Sequence, residues 1–287
     1  MRVLTAAALL LFCHTAFAKE DASIQIKGSD TMVNLGQAWA EAFMAKSPSI
    51  QIAVTGGGSG TGIAALVNGT TDIAQSSRSM NEKERAMLQT KGQNAVELEV
   101  AIDALTVVVH PANLVKALAI EQLSDIFSGK VTNWKQVGGP DQSILVLSRE
   151  RNSGTHVFFL EEVVRRGNPK GPEEFAASAL MMPSSQAIVQ EVADNPAAIG
   201  YFGLGYLSPK VKALAVSKSG GPFVSPSVQT ALNKSYLLAR PLYFYLPQKP
   251  EGAVKEFVDF VLGEPGQAIV LEMDFVPLHE ANARTAH

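Results

Sequence analysis

Gly56-Gly57-Gly58-Ser59-Gly60-Thr61-Gly62 joins two regular elements of different periodicity. Ahead of it, Ile50, Ile52 and Val54 alternate along the chain as a strand does. After it, Ile63, Leu66 and Val67 recur at helical spacing, so the glycines turn a strand into a helix. Glycine lets a backbone approach a ligand closely, and a helix start offers unpaired N–H groups with partial positive charge. Ser59 and Thr61 add hydroxyl donors at the same spot, which makes the turn a candidate oxyanion cradle. It is not a P-loop, because Ile63 stands where lysine is needed, and Thr61 occupies the third glycine position of a dinucleotide fingerprint. A nucleophile elbow is excluded as well, since Gly57-Gly58-Ser59-Gly60 is followed by Thr61. An ordinary flexible turn is the alternative that this stretch alone leaves open.

The same kind of junction recurs elsewhere in the chain. Ile24 and Ile26 lead into Gly28-Ser29-Asp30-Thr31-Met32, after which Leu35, Trp39, Ala42 and Phe43 form one helical stripe that Pro48 ends. Ser29, Asp30 and Thr31 are therefore candidate ligand groups or plain helix caps. Asp72-Ile73-Ala74 runs into Ser76-Ser77-Arg78-Ser79 ahead of a charged helix opened by Asn81. Ile144–Leu147 is an apolar strand followed by Ser148-Arg149-Glu150-Arg151-Asn152-Ser153-Gly154-Thr155 and the stripe Val157, Leu160, Val164. A guanidinium presents a fork of donors suited to phosphate or carboxylate oxygens, so one of these two arginines is expected to point inward. The other is expected to pair with Glu150 or face solvent.

The rest of the chain alternates strand and helix. Val100–His110 reads as a buried strand, Leu118–Phe127 as a helix, and 129–139 as loop anchored by Trp134. A helix over Gln186–Val192 precedes a short strand at Ile199–Phe202. Leu242–Leu246 is a strand, with helices over Ala253–Leu262 and Gln267–Leu271. This alternation predicts an α/β fold with largely parallel sheets, in which ligands bind beyond the carboxyl ends of strands.

Met1–Ala18 has the layout of a cleaved secretory signal: Arg2, the apolar run Val3–Phe12, and Ala16-Phe17-Ala18 before Lys19. It contains the only cysteine, Cys13, so the exported chain is expected to have neither thiol nor disulfide. The whole chain carries a formal charge of −3, and removal of the signal leaves −4. That mild acidity argues against a nucleic-acid partner.

The four Gly/Ser/Thr junctions supply many neutral donors and a little positive charge, with no evident catalytic group. His110 and His156 make no metal-ligand pattern, His14 lies in the signal and His279 and His287 lie in the tail; neither a metal nor a cofactor is expected. Such a site binds an anion without transforming it.

Taken together, GSDTM at 28–32, GGGSGTG at 56–62, DIAQSSR at 72–78, IFSGKVTNW at 126–134, RERNSGT at 149–155 and NPAAIGY at 195–201 resemble, in order along nearly the whole chain, the PstS-type phosphate-binding proteins of ABC transporters. The resemblance implies a monomeric periplasmic receptor of the type II two-lobe fold. Each lobe would be a mostly parallel sheet flanked by helices, with a two-stranded hinge and phosphate bound between the lobes for delivery to a membrane permease. The expected division is signal 1–18, lobe I 19–103 and 240–287, and lobe II 104–239. By the same resemblance the phosphate-binding residues are Asp30, Thr31, Met32, Ser59, Gly60, Ser77, Arg78, Arg149, Ser153, Gly154 and Thr155. One departure stands out: many members carry an aspartate where this chain has Ser77, and Asp30 is the candidate for the missing acceptor. The alternatives are another tetrahedral oxyanion (arsenate or sulfate), a secreted phosphoester hydrolase, or a structural protein that kept the fold.

Overall fold

The computed structural model describes residues 22–218 and 220–278; the expected signal segment, Cys13, His279 and His287 lie outside them. The strands are β1 (Ala22–Gly28), β2 (Ile50–Thr55), β3 (Ile73–Ser76), β4 (Val96–Val109), β5 (Ala117–Ala119), β6 (Leu145–Arg149), β7 (Leu180–Met182), β8 (Ala198–Gly203), β9 (Lys212–Ala213), β10 (Ala215–Ser217) and β11 (Ala239–Leu246). The α-helices are α1 (Val33–Lys46), α2 (Ser59–Val67), α3 (Glu82–Gln89), α4 (Ile120–Phe127), α5 (Gly154–Phe159), α6 (Ser185–Asp194), α7 (Val228–Leu232), α8 (Gly252–Leu262) and α9 (Glu264–Glu272). One strand path runs β2-β1-β3-β11-β4-β8-β6-β7, with β9 beside β4; β5 and β10 form a separate pair.

The two largest of four hydrophobic clusters among the described residues lie along this path. The first gathers Ile24, Trp39, Phe43 and Ile73 with Phe244, Phe257 and Phe275. The second gathers Phe127, Trp134, Phe159, Ile199 and Tyr201. The molecule is thus the expected two-lobed α/β fold. Among the described residues, β4 and β11 are the strands that contribute side chains to both of these cores: Val100 and Leu242 on the first side, Leu105 and Ala239 on the second. They run antiparallel to one another, with Ala104 opposite Ala239, and form the two-stranded crossing.

The parallel pairing that the alternation predicts holds for the outer strands, β1 with β2 and β3, and β6 with β7 and β8. The crossing strands are antiparallel to their neighbours, because a chain that leaves a lobe and returns to it must reverse direction. β4 starts four residues earlier than its apolar run suggests. Its first half alternates Glu97 and Glu99 with Val96 and Leu98, while its second half is buried on both faces and reads as continuously apolar. Residues 117–119 form β5 rather than the first turn of a helix, since their partner β10 lies far along the chain.

Candidate functional site

All four Gly/Ser/Thr junctions converge where the lobes face each other. On the first lobe, the turn Asp30–Met32 follows β1, α2 begins at Ser59 after β2, and Ser77 follows β3. On the second lobe, α5 follows β6, with Ser153 as its N-cap. The ends of these strands carry the site because each parallel strand hands over to a helix there.

The hydroxyls interlock. Ser29 Oγ donates to Ser77 Oγ at 2.9 Å, and the Ser77 N–H donates to Ser59 Oγ at 3.0 Å. Thr31 and Thr155 meet across the cleft, Oγ1 to Oγ1, at 2.8 Å. Ser153 Oγ accepts the N–H groups of Thr155 and His156, which leaves its proton to donate outward. At the three helix starts, the N–H groups of Thr31, Ser59 and Gly154 have no hydrogen-bond partner among the described residues.

The glycines let the lobes come this close. Gly58 has φ +94°, and a Cβ there would lie 2.9 Å from the carbonyl oxygen of Asn152 on the other lobe. A Cβ on Gly154 would lie 2.5 Å from Ser59 Oγ and 2.7 Å from Ser77 Oγ. Gly60 N–H donates to the Asn152 carbonyl at 2.9 Å, and Asn152 Nδ2 donates to the Gly57 carbonyl at 2.8 Å.

Arg149 is the inward arginine. It is 2% exposed, whereas Arg151 is exposed to solvent. Its Nε donates to the Met182 carbonyl, Nη1 to Asp30 Oδ2 at 3.0 Å and to Ser185 Oγ at 3.1 Å, and Nη2 to the Pro183 carbonyl at 3.1 Å. Of the five guanidinium N–H groups, one on Nη2 remains. Asp30 Oδ2 also accepts the Ser185 N–H at 2.8 Å. Asp30 therefore does not cap its own helix. It caps α6 of the opposite lobe, where the helix N-terminus favours negative charge. Asp30 Oδ1 has no hydrogen-bond partner among the described residues.

Three expected ligand groups are arranged differently. The Arg78 guanidinium is held by Glu84, at 2.6 and 2.8 Å, and by the Ser79 carbonyl, so its charge is neutralised within its own lobe. The N–H of Met32 closes a turn on the Ser29 carbonyl, and its side chain is buried in the first core. Gly60 N–H joins the lobes as described above. In each case a nearby protein acceptor takes the donor: Glu84 is already placed by the Asn81 capping box, and turn geometry sets the Met32 contact.

A fourth charged group, Arg240 on β11, reaches the cradle unannounced: Nη2 donates to Thr155 Oγ1 at 2.9 Å. The signal for it was present. An arginine in the apolar run Leu237-Leu238-Ala239-Arg240-Pro241-Leu242 and an aspartate in Val100–Val109 each demand a buried partner, and they are one another's. Beside the cradle lies a cavity of about 590 Å³ bordered by Ser77, Arg78, Arg151, Phe158, Glu161 and Arg240.

The His156 imidazole makes no hydrogen bond to the cradle hydroxyls. Its Nδ1 contacts Ser148 Oγ at 3.1 Å inside the second lobe, and Ser148 in turn meets Tyr201 at 2.7 Å. Burial is the main influence that holds the His156 pKa below its ordinary value. No cluster of three or more metal-ligating side chains occurs among the described residues.

The PBP superfamily domain matches residues 15–265. The chain is 34% identical to the phosphate-binding protein PstS of Pseudomonas aeruginosa, over 88% of this chain and 81% of that protein. It is 35% identical to protein SphX of Synechococcus elongatus, over 99% of this chain and 85% of that protein. Among solved structures it resembles a phosphate ABC transporter substrate-binding protein from Clostridium perfringens with bound phosphate. There the TM-score is 0.79 at 34% identity, covering 90% of this chain and all of that one.

Proposed function

The chain belongs to the PBP superfamily, among its PstS-type phosphate-binding proteins, and from that premise we propose that it is a periplasmic receptor that closes on inorganic phosphate and delivers it to the permease of an ABC importer. The observation that carries this reading is the meeting, across one cleft, of hydroxyls and free helix-start N–H groups from both lobes. A tetrahedral dianion there would be held by the N–H groups of Thr31, Ser59 and Gly154, the hydroxyls of Thr31, Ser59, Ser153 and Thr155, and the remaining N–H of Arg149. Ser77 supports Ser59 from below. Arg78, Met32 and Gly60 shape the walls and the lobe contact rather than supply the main charge. The proposed lobes are 19–103 with 240–287, and 104–239.

The two buried arginines of the site are each paired with a carboxylate, Arg149 with the partly buried Asp30 and Arg240 with the buried Asp103. Binding then depends on oriented dipoles rather than on net charge, and each dipole is already set before the anion arrives. Phosphate differs from sulfate by its proton, which needs an acceptor. Asp30 Oδ1 faces no protein donor, and we assign it that acceptor role. The acid thus takes the place of the aspartate that other members carry at the Ser77 position.

Receptor action, not hydrolysis, also fits the chemistry. The serine–histidine contact, Ser148 with His156, lies inside a lobe instead of in the cleft. We take the working form to be a monomer, since one chain supplies both faces of the site. Titration calorimetry of the protein lacking residues 1–18 against phosphate, arsenate and sulfate tests the reading. Tight phosphate binding with weak sulfate binding is expected, with no phosphoester turnover. Failure to bind phosphate would reject it.

A further inference from the structure

Asp103 and Arg240 sit where the crossing strands leave one lobe for the other. They are direct cross-strand partners in the β4–β11 ladder, and from Leu105 onward β4 pairs with β8 instead. Both side chains are buried. Arg240 Nε and Nη2 donate to Asp103 Oδ2 at 3.2 and 2.9 Å, while Asp103 Oδ1 accepts the Leu204 N–H at 3.1 Å. The Phe158 ring covers the guanidinium at 5.2 Å. From this anchored position Nη2 also donates to Thr155 Oγ1, the hydroxyl that meets Thr31 across the cleft.

We infer that Arg240 is a positioning residue of the anion site, which forces the Thr155 hydroxyl to act as a donor into the cradle, with Asp103 holding Arg240 in place. The inference rests on the phosphate-receptor reading. A guanidinium has five N–H groups and no acceptor, and it stays protonated at neutral pH. Thr155 therefore cannot donate back to Arg240. Its oxygen accepts there, and its single proton is directed to Thr31 while the cleft is empty and to an anion oxygen once the anion is bound. A threonine without such a neighbour is a free rotor that can present a lone pair to the anion.

The placement also argues against a purely structural ion pair. Asp103 alone would anchor the guanidinium, and a buried pair gives little stability over well-packed apolar residues. Here Nη2 is shared with Thr155 while Nη1, fully buried, has no protein partner among the described residues. A buried donor left unmatched needs a reason, and the orientation of Thr155 supplies one.

Replacing Arg240 alone would strand the Asp103 carboxylate, so the test uses the neutral pair Asp103→Asn with Arg240→Gln. Its amide oxygen lets Thr155 donate backwards. Phosphate affinity is measured by calorimetry for wild type, the neutral pair, Thr155→Val and the combination, with thermal melts of the phosphate-free proteins. The neutral pair should lose about tenfold or more in phosphate affinity while melting near the wild type. In the Thr155→Val background the same replacement should change affinity by less than about twofold. Arg240→Lys, which keeps a charged donor-only group, should stay nearer to wild type than the neutral pair. Wild-type affinity in the neutral pair, or losses that simply add to that of Thr155→Val, would overturn the inference. A readout independent of any variant is the wild-type phosphate complex by NMR. A through-hydrogen-bond coupling from the Thr155 hydroxyl proton to phosphorus is expected, and its absence overturns the inference even if the neutral pair fails to fold. No phosphate binding by wild type would overturn the receptor reading, and this inference with it.

Discussion

Replacing Asp30 by asparagine separates two jobs that its carboxylate holds at once. Oδ2 joins the lobes through Arg149 and the start of α6, and Oδ1 is assigned to the phosphate proton. An asparagine carbonyl can keep the geometry of the first job but not its charge. The Arg149 contact then falls from a charged to a neutral hydrogen bond, and the helix end loses its anion. Together these weaken closure by about 1–2 kcal/mol, or roughly 5- to 30-fold, for every anion alike. The second job reverses sign, because the amide donates where the carboxylate accepted. Phosphate loses a charged hydrogen bond and sulfate gains a neutral one, which shifts their ratio by about 2–4 kcal/mol, or roughly thirty- to a thousandfold. Competition calorimetry of both anions against wild type and Asp30→Asn reads the two effects separately. If both affinities fall by the same factor, Asp30 is a clasp only and the proton acceptor lies elsewhere.

Arg149→Ala should weaken phosphate binding by roughly 2–5 kcal/mol, since it also leaves Asp30 without its charged partner, whereas Arg151→Ala at the exposed position should change little; equal losses would mean the wrong arginine is assigned. Gly154→Ala places a methyl between Ser59 and Ser77 of the facing lobe and should cost about 1–3 kcal/mol of phosphate affinity. Because the clash lies between lobes, the phosphate-free melt should hardly move, and a large drop in it would refute that account. For His156, whose pKa is held below 6.5, the unfolded chain binds the proton first. Its contribution is therefore a loss of stability that begins as pH falls below about 6.5 and grows until the folded form protonates. His156→Asn should flatten that part of the melting-temperature profile, and an unchanged slope there would show that another group is responsible.

The site's skeleton was legible because its chemistry is local. A strand, a few small hydroxyl residues and an amphipathic helix in sequence place Thr31, Ser59 and Thr155 at helix starts, and helix starts on parallel strands gather at one edge. What stayed hidden depends on contacts between distant segments. Arg78 stands among serines just as Arg149 does, and only folding shows that Glu84 claims the first while Asp30 and two carbonyls cradle the second. The capping box at Asn81 offered a hint, since it fixes Glu84 within reach of Arg78. Asp30 reads in the sequence as either a phosphate acceptor or a cap for the helix beside it, and its Oδ2 caps a helix in the opposite lobe. Arg240 and Asp103 were each visible as lone charges in apolar strands, but their union needs the antiparallel register of β4 and β11. That register is set by the return of the chain and by nothing local.

The first core is assembled from both ends of the chain. Ile24, Trp39 and Phe43 come from its beginning, and Phe257, Val261, Val270 and Phe275 from its end, with the Trp39 indole N–H donating to the Gly266 carbonyl on α9 at 2.8 Å. The second core draws on one uninterrupted stretch apart from Val276. An emerging chain can therefore begin to collapse its middle while its first segment waits, without β11, α8 and α9 to cover it. Such long-range closures come late and slowly in folding. Thr31 and Ser59 ride on the waiting segment, so ligand competence arrives only with the final helices, and a chain cut short before them would have half a cradle and nothing to close it on.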